Sequence, residues 1–231
     1  MREVLEEARS LDLLGPMDLE DQIEHAAGFA RAFETVTAGR SDQRGAHRPG
    51  PGPDRWMDLG SGGGLPGLML AQYWPGSGAV LLDAAQRRTS FLTEAVHSLG
   101  WEGRVEVVRA RAEDAGRDPR FRRGFQVVWA RSFGSPPVTA ECAAPFLRVD
   151  GLLVVSEPPP TPDQPPGPGA VESDAERWPR DGLAQLGLEP QVTLRGKFGY
   201  QVVRQVKACP ERFPRRAGVA AKRPLYRVAE G

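Results

Sequence analysis

A crowd of glycines directly behind an acid constrains this chain more than any other feature. Trp56-Met57-Asp58-Leu59 reads as a short apolar strand, and Gly60-Ser61-Gly62-Gly63-Gly64-Leu65-Pro66-Gly67 follows it. The next segment, Leu68-Met69-Leu70-Ala71, has the composition of a helix. Glycine has no Cβ, so such a turn brings backbone very close to a ligand and tolerates positive φ. A second strand is expected over Ala79–Asp83, ending on another acid nineteen positions after Gly64. In a wound βαβ unit, an acid about 20 residues past the glycine turn accepts hydrogen bonds from ribose hydroxyls. The pair of motifs predicts a nucleoside site.

Gly62-x-Gly64-x-x-Gly67 formally matches the dinucleotide fingerprint, but a lone match of that kind is weak. Asp58 argues against a pyrophosphate, which gains nothing from an added negative charge. The Asp-x-Gly-x-Gly-x-Gly spacing from Asp58 suits a ligand with an ammonium and a ribose, as in S-adenosylmethionine (SAM). A tight turn with no ligand is the plainer alternative. Asp83 also reads as a helix cap for the segment opening near Ala84, a role compatible with ribose binding.

The rest of the chain alternates strand and helix. Leu19, Ile23, Ala26, Ala27, Ala30 and Phe33 make a helical stripe over 19–36. Strands are expected at Arg55–Leu59, Arg104–Val108, Phe125–Ala130 and Gly151–Val155, then near Gln191–Leu194 and Tyr200–Val206. Helices are expected at Thr89–Leu99, Pro137–Phe146 and Ala175–Leu186. This order implies an α/β fold with a mostly parallel sheet and crossover helices. Thr37 to Pro53 reads as a mobile loop. Pro158 to Gly169 reads as a semi-rigid linker or insertion, because proline removes donors and fixes φ.

Three parts result: residues 1–54 as a helical extension and loop, 55–207 as the nucleoside-binding domain, and 208–231 as a basic tail. Residues 1–34 carry net charge −6 and residues 195–231 net +8. That asymmetry cues an anionic partner at the C-terminus; attraction between the two ends, or plain solvation, is the alternative. Cys142 and Cys209 make neither a disulfide framework nor a metal cluster. The acidic N-terminus lacks the apolar core of a signal peptide, and no apolar run approaches the roughly 20 residues of a membrane span. A soluble cytoplasmic protein without metal is expected. His25, His47 and His97 have neither triad context nor metal-ligand spacing, and His97 is expected at the surface.

Ala112 and Glu113 follow the third strand, where Ala112 lets backbone approach a ring nitrogen and Glu113 meets an exocyclic amine; a solvated helix-start acid is the alternative for Glu113. Arg131 ends the fourth strand and is expected to point into the cleft at the carboxyl ends of the strands. There it would hold a phosphate, a guanine edge or a cofactor carboxylate, or else make a structural ion pair. Phe133 would stack on a base or pack.

These residues resemble one family closely. Asp58 through Gly67, with its Leu65-Pro66-Gly67 ending, is similar to motif I of the bacterial small-subunit ribosomal RNA methyltransferase G family, also called glucose-inhibited division protein B. Arg87-Arg88-Thr89-Ser90-Phe91-Leu92, Arg111-Ala112-Glu113 and Ala130-Arg131-Ser132-Phe133 fall where that family has matching segments. The terminal Arg212-Phe213-Pro214-Arg215-Arg216 to Lys222-Arg223-Pro224-Leu225 resembles its C-terminal signature, and Leu14-Gly15-Pro16 and His25 also fit.

The resemblance, over about residues 14–225, implies a class I SAM-dependent methyltransferase fold, Rossmann-like with a seven-stranded sheet. It implies methyl transfer from SAM to N7 of a guanine in 16S rRNA, on naked RNA or the 30S subunit. Implied cofactor contacts are Gly60, Leu65, Ala112, Glu113 and Arg131, with Arg131 also catalytic; Asp58, Gly62 and Asp83 are expected beside them from the turn chemistry above. The chain departs from the family where its fifth strand ends in Ser156-Glu157-Pro158 instead of Lys-Gly, turning a positive charge negative. Val219-Ala220 replaces Thr-Pro, and Glu24 replaces a basic residue before His25. A paralogue that binds SAM but methylates another substrate, or nothing, is therefore the second reading; an NAD-type oxidoreductase is the third.

Overall fold

A computed structural model describes residues 1–38, 52–158, 169–171 and 175–228. Most of the expected 37–53 loop and nearly all of the 158–169 linker lie outside the described residues. The strands are β1 (Arg55–Leu59), β2 (Gly78–Asp83), β3 (Val105–Arg109), β4 (Phe125–Ala130), β5 (Leu147–Glu157), β6 (Gly169–Val171), β7 (Leu188–Arg195) and β8 (Gly199–Gln205). They form one sheet in the order β3-β2-β1-β4-β5-β8-β7-β6. The first five run parallel and the last three are antiparallel. The expected seven strands are present, extended at one edge by the three-residue β6, whose glycine start gave no strand signal.

Helices α1 (Arg2–Ser10), α2 (Leu19–Ala38), α3 (Gly67–Tyr73) and α4 (Gln86–Ser98) cover one face; α5 (Ala112–Ala115), α6 (Pro136–Ala143) and α7 (Arg180–Ala184) cover the other, and α8 (Val219–Lys222) follows. Successive strand residues face opposite sides. Trp56, Leu81 and Trp129 therefore enter the α2 layer, while Met57, Leu82 and Val128 enter the α6 layer. Trp129 stacks on Trp74 with centroids 5.8 Å apart, and Phe29, Phe33 and Trp56 meet it edge-on. The same period sends Asp58 and Arg131 to the α2 side.

Three helices differ from expectation. The one expected over Pro137–Phe146 stops at Ala143, and a 3-10 turn over Ala144–Phe146 completes it. α4 starts at Gln86 because the Asp83 carboxylate receives the Ala85 N–H at 2.8 Å and fixes the lead-in turn. α7 starts only at Arg180, behind Pro179, since the residue before a proline is kept out of helical geometry.

The C-terminal segment is not a free tail. Phe213 is buried in the α6-side core. Arg122 donates to the carbonyls of Phe213, Cys209 and Pro210. Glu141, 1% exposed, accepts from both the amide and Nε of Arg215 at 2.9 and 2.8 Å. Residues 209–218 are thus a strap, with Arg212, Arg216, Lys222 and Arg223 left on the surface. Cys142 and Cys209 are both buried free thiols.

Candidate active site

The strand order reverses between β1 and β4, which opens a crevice at their carboxyl ends. A cleft of about 210 Å³ lies there, walled by Gly60, Asp83, Ala84, Ala110, Ala112 and Phe133 among others. The glycine turn builds its near wall. Gly60 and Ser61 donate their amides to the Leu82 carbonyl at 2.8 and 3.0 Å. Gly60 has φ +77°, and a Cβ there would come within 2.7 Å of the Phe133 ring. Glycine is required at this point both for its backbone angle and for the space.

Asp83 forms the floor. One carboxylate oxygen accepts the Gly62 amide at 3.0 Å and the other the Ala85 amide at 2.8 Å. Each carboxylate oxygen keeps a second lone pair beyond these bonds. Arg88, half exposed, stands 3.5 Å from it.

Asp58 is placed differently from the sequence picture. It is 1% exposed and lies behind the glycine turn, outside the wall of the cleft. Its Oδ2 accepts the Gly67 amide at 3.0 Å, and a Cβ on Gly67 would lie 2.5 Å from that oxygen. Asp58 thus pins the start of α3 to the end of β1. Burial pushes its pKa up to about 7, against the opposing pull of the Gly67 amide, Ser61 and Arg131. Its buried Oδ1 has no hydrogen-bond partner among the described residues. An orphaned acceptor of this kind behind the turn suits a ligand that brings a cation or a donor.

Arg131 also departs from the expected pose. Ser132 and Phe133 line the cleft, whereas Arg131 turns toward α2 and donates to Gln22 Oε1 at 3.2 Å. Its guanidinium acts on Asp58 and on His25. Leu65 packs its side chain with Leu5, Leu19 and Ala26 under the N-terminal helices. Ala112 is in the cleft wall, but Glu113 spends one oxygen on the Gly218 amide at 2.9 Å, tying the strap to α5. Glu157 does not project a bare negative charge: Arg177 Nε and Trp178 Nε1 donate to it at 2.8 and 2.7 Å. His97 is at the surface beside Glu102.

Gln22 was missed from sequence, and His25 was noted there only as a family match, without a role at the site. Both are buried polar residues on the inner face of α2, three apart, in phase with Leu19 and Ala26. That phase was the available signal. Gln22 Nε2 donates to the carbonyls of Gly15 and Met17, so it ties the 15–17 turn to Arg131. His25 stacks on Phe198 with centroids 4.6 Å apart, and neither ring nitrogen has a hydrogen-bond partner among the described residues.

Burial, then the nearby Arg131 charge, holds the His25 pKa down near 4. The unfolded ring protonates near the ordinary 6.5, so its contribution to stability is complete above that pH and lost as pH falls toward 4. His25→Phe is expected to remove this loss. Its unfolding free energy relative to the native protein should rise by up to about 3 kcal/mol between pH 6.5 and 4. Urea unfolding across that range checks it; a parallel pH dependence in the two proteins would contradict the neutral buried ring.

The fold has counterparts in known proteins. The cofactor-bound Rv0187 protein from MTB superimposes with TM-score 0.55 at 16% identity, over 89% of each chain, which establishes the shared fold. The family description "rRNA small subunit methyltransferase G" matches residues 48–157, the stretch holding β1 to β5 and every wall residue of the cleft. The ribosomal RNA small subunit methyltransferase G of Prochlorococcus marinus (strain NATL1A) is 33% identical over 178 residues, covering 74% of this chain and 67% of that one. Its counterpart in strain MIT 9313 is 32% identical over 200 residues, covering 84% and 76%. With similarity running through both the glycine turn and the strands that carry the crevice, the chain belongs to the ribosomal RNA small subunit methyltransferase G family.

Proposed function

We propose that this protein transfers a methyl group from SAM to N7 of a guanine in 16S rRNA, with the RNA or the assembled 30S subunit as substrate. One observation carries the reading. The cleft sets an acid suited to ribose hydroxyls, Asp83, against a close-approach glycine wall. Guanine N7 carries an unprotonated lone pair, so a site that transfers a methyl to it needs no proton acceptor.

The cofactor, when bound, supplies an electrophilic methyl on a sulfonium centre. Asp83 would accept from the ribose hydroxyls, and Ala112 would leave room for the adenine. Gly60 and Gly62 would present backbone at the turn, with Leu65 holding the turn from behind. Glu113 keeps one oxygen for the exocyclic amine while the other holds Gly218. Asp58 sets the turn through Gly67, and its orphan oxygen favours the positive end of the ligand. Arg131, steadied by Gln22, would orient the guanine or an adjacent phosphate. Alignment alone supplies large effective-molarity gains.

In this reading 1–54 are the helical extension, whose α1 and α2 roof the turn, 55–207 are the catalytic domain, and 208–231 are the basic segment, whose residues 209–218 form the strap. The Glu157 departure does not by itself favour the paralogue reading, since Arg177 and Trp178 hold its carboxylate.

The test is transfer of labelled methyl from SAM to 30S subunits lacking the modification. The expected product is one N7-methylguanine per 16S rRNA, with Arg131→Ala at least about 100-fold slower and still folded. No label in rRNA from native protein that binds SAM would refute the substrate assignment, and full activity of the variant would remove Arg131 from the site.

A further inference from the structure

A second cavity, of about 310 Å³, opens between α2 and the turn joining β7 to β8. β8 begins where β5 ends, with Gly199 opposite Glu157 and Tyr200 opposite Ser156. The cavity therefore lies on the same carboxyl edge of the sheet as the glycine turn. Tyr200 and His25 separate it from Arg131: the Tyr200 hydroxyl donates to the His25 carbonyl at 2.7 Å, and His25 stacks on Phe198.

The lining combines three cations and one acid, Glu24, with a flat wall. Arg31, Arg195 and Lys197 supply charge; Phe198, Tyr200 and the bare backbone of Gly28 supply an apolar wall. α2 presses so close that a Cβ on Gly28 would lie 1.9 Å from the Tyr200 hydroxyl oxygen. Lys197 is already balanced by Asp21 and Glu24 at 2.8 and 2.6 Å, which fixes the hairpin tip on α2. Arg195 has no ion-pair partner among the described residues, and the one partner of Arg31 there is the Glu24 carbonyl at 3.4 Å. Two guanidinium charges thus border a cavity at the lower end of the size range for small-ligand sites. Guanidinium forks match phosphate oxygens, and a flat apolar wall suits a nucleobase or ribose.

We propose that this cavity receives one ribonucleotide of the RNA substrate flanking the methylated base, with its phosphate held by Arg31 and Arg195. The inference rests on the rRNA reading above and adds a contact outside the cofactor cleft. A phosphate held there would set the register of the RNA, because backbone contacts position and base contacts specify.

The test compares native protein with Arg31→Ala/Arg195→Ala and with Arg31→Lys/Arg195→Lys in methylation of 30S subunits lacking the modification. It is run at two salt concentrations, with SAM affinity measured alongside. The alanine pair is expected to raise KM for the subunit about tenfold and to lower the slope of log affinity against log salt by about 0.7 per lost phosphate contact. SAM affinity should stay within twofold, and the lysine pair should recover most of KM. If the alanine pair does not fold, Arg31→Gln/Arg195→Gln takes its place with the same expectations.

Native KM and salt slope in the variants would overturn the proposal, as would an equal loss of SAM affinity. Weakened binding to 30S with unchanged binding to a protein-free 16S transcript would assign the cavity to an acidic protein segment and also overturn it. Absence of rRNA methylation by the native protein would instead strike the functional reading beneath it, and the inference with it.

Discussion

Asp83→Ala is expected to weaken SAM binding by at least about 100-fold, because charge-assisted hydrogen bonds are worth roughly 1.5–3 kcal/mol each. The side chain does two things at once. It offers a ligand its remaining lone pairs, and it holds the Gly62 and Ala85 amides at 3.0 and 2.8 Å. Alanine removes the ribose acceptor and also frees both sides of the turn, so preorganisation is lost along with the contact. Asp83→Asn should fall between, since an amide keeps one oxygen acceptor. Titration calorimetry with SAM on the three proteins measures the effect, and circular dichroism verifies the fold. Native affinity in the alanine variant would mean that the ligand sits elsewhere.

The largest effect on stability is expected at the strap. Arg215→Ala leaves Glu141, 1% exposed, with only the amide of residue 215 in place of a guanidinium that contacts both its oxygens. Stranding one partner of a buried ion pair costs about 3–5 kcal/mol. Urea unfolding should show that loss. The double replacement Glu141→Leu/Arg215→Met is expected to regain much of it, because apolar residues of similar volume often match a buried pair. The single variant should also loosen Gly218 from Glu113 and so weaken SAM binding modestly. A single variant as stable as the native protein would show that the strap contributes nothing to the fold.

The sequence was most legible where local chemistry decides the backbone. The bounds of β1 and β4 match the expected runs, because apolar stretches bounded by glycine, Gly60 after β1 and Gly124 before β4, have few alternatives. The glycine turn and Asp83 were legible for the same reason. Less legible were placements set by tertiary packing. Asp58 looked like a wall of the pocket, yet strand alternation and the close approach of Gly67 put it behind the turn. The end of β4 was correctly located, but Ser132 takes φ +51° and redirects the chain, so Phe133 reaches the cleft while Arg131 turns to α2. Gln22 and His25 were hidden inside a stripe that was read only for its apolar members.

Charge along the chain was legible in total and ambiguous in use. Lys197 spends its charge on Asp21 and Glu24, so part of the end-to-end asymmetry is internal pairing. Arg215 spends its own on Glu141. Cations left over include Arg212 and Arg216 on the strap, Lys207, Lys222, Arg223 and Arg227 on either side of it, and Arg31 and Arg195 at the α2 cavity; the proposed reading offers these to RNA. A count of charges by segment cannot separate the two groups, because pairing depends on contacts 74 or more residues apart.

The crevice at the carboxyl ends of β1 and β4 is expected to hold a sulfonium nucleoside. Titration of the native protein with SAM and, separately, with NAD asks this most directly. The account predicts one equivalent of SAM bound, displaced by S-adenosylhomocysteine, and no heat from NAD. Binding of NAD with none of SAM would contradict it.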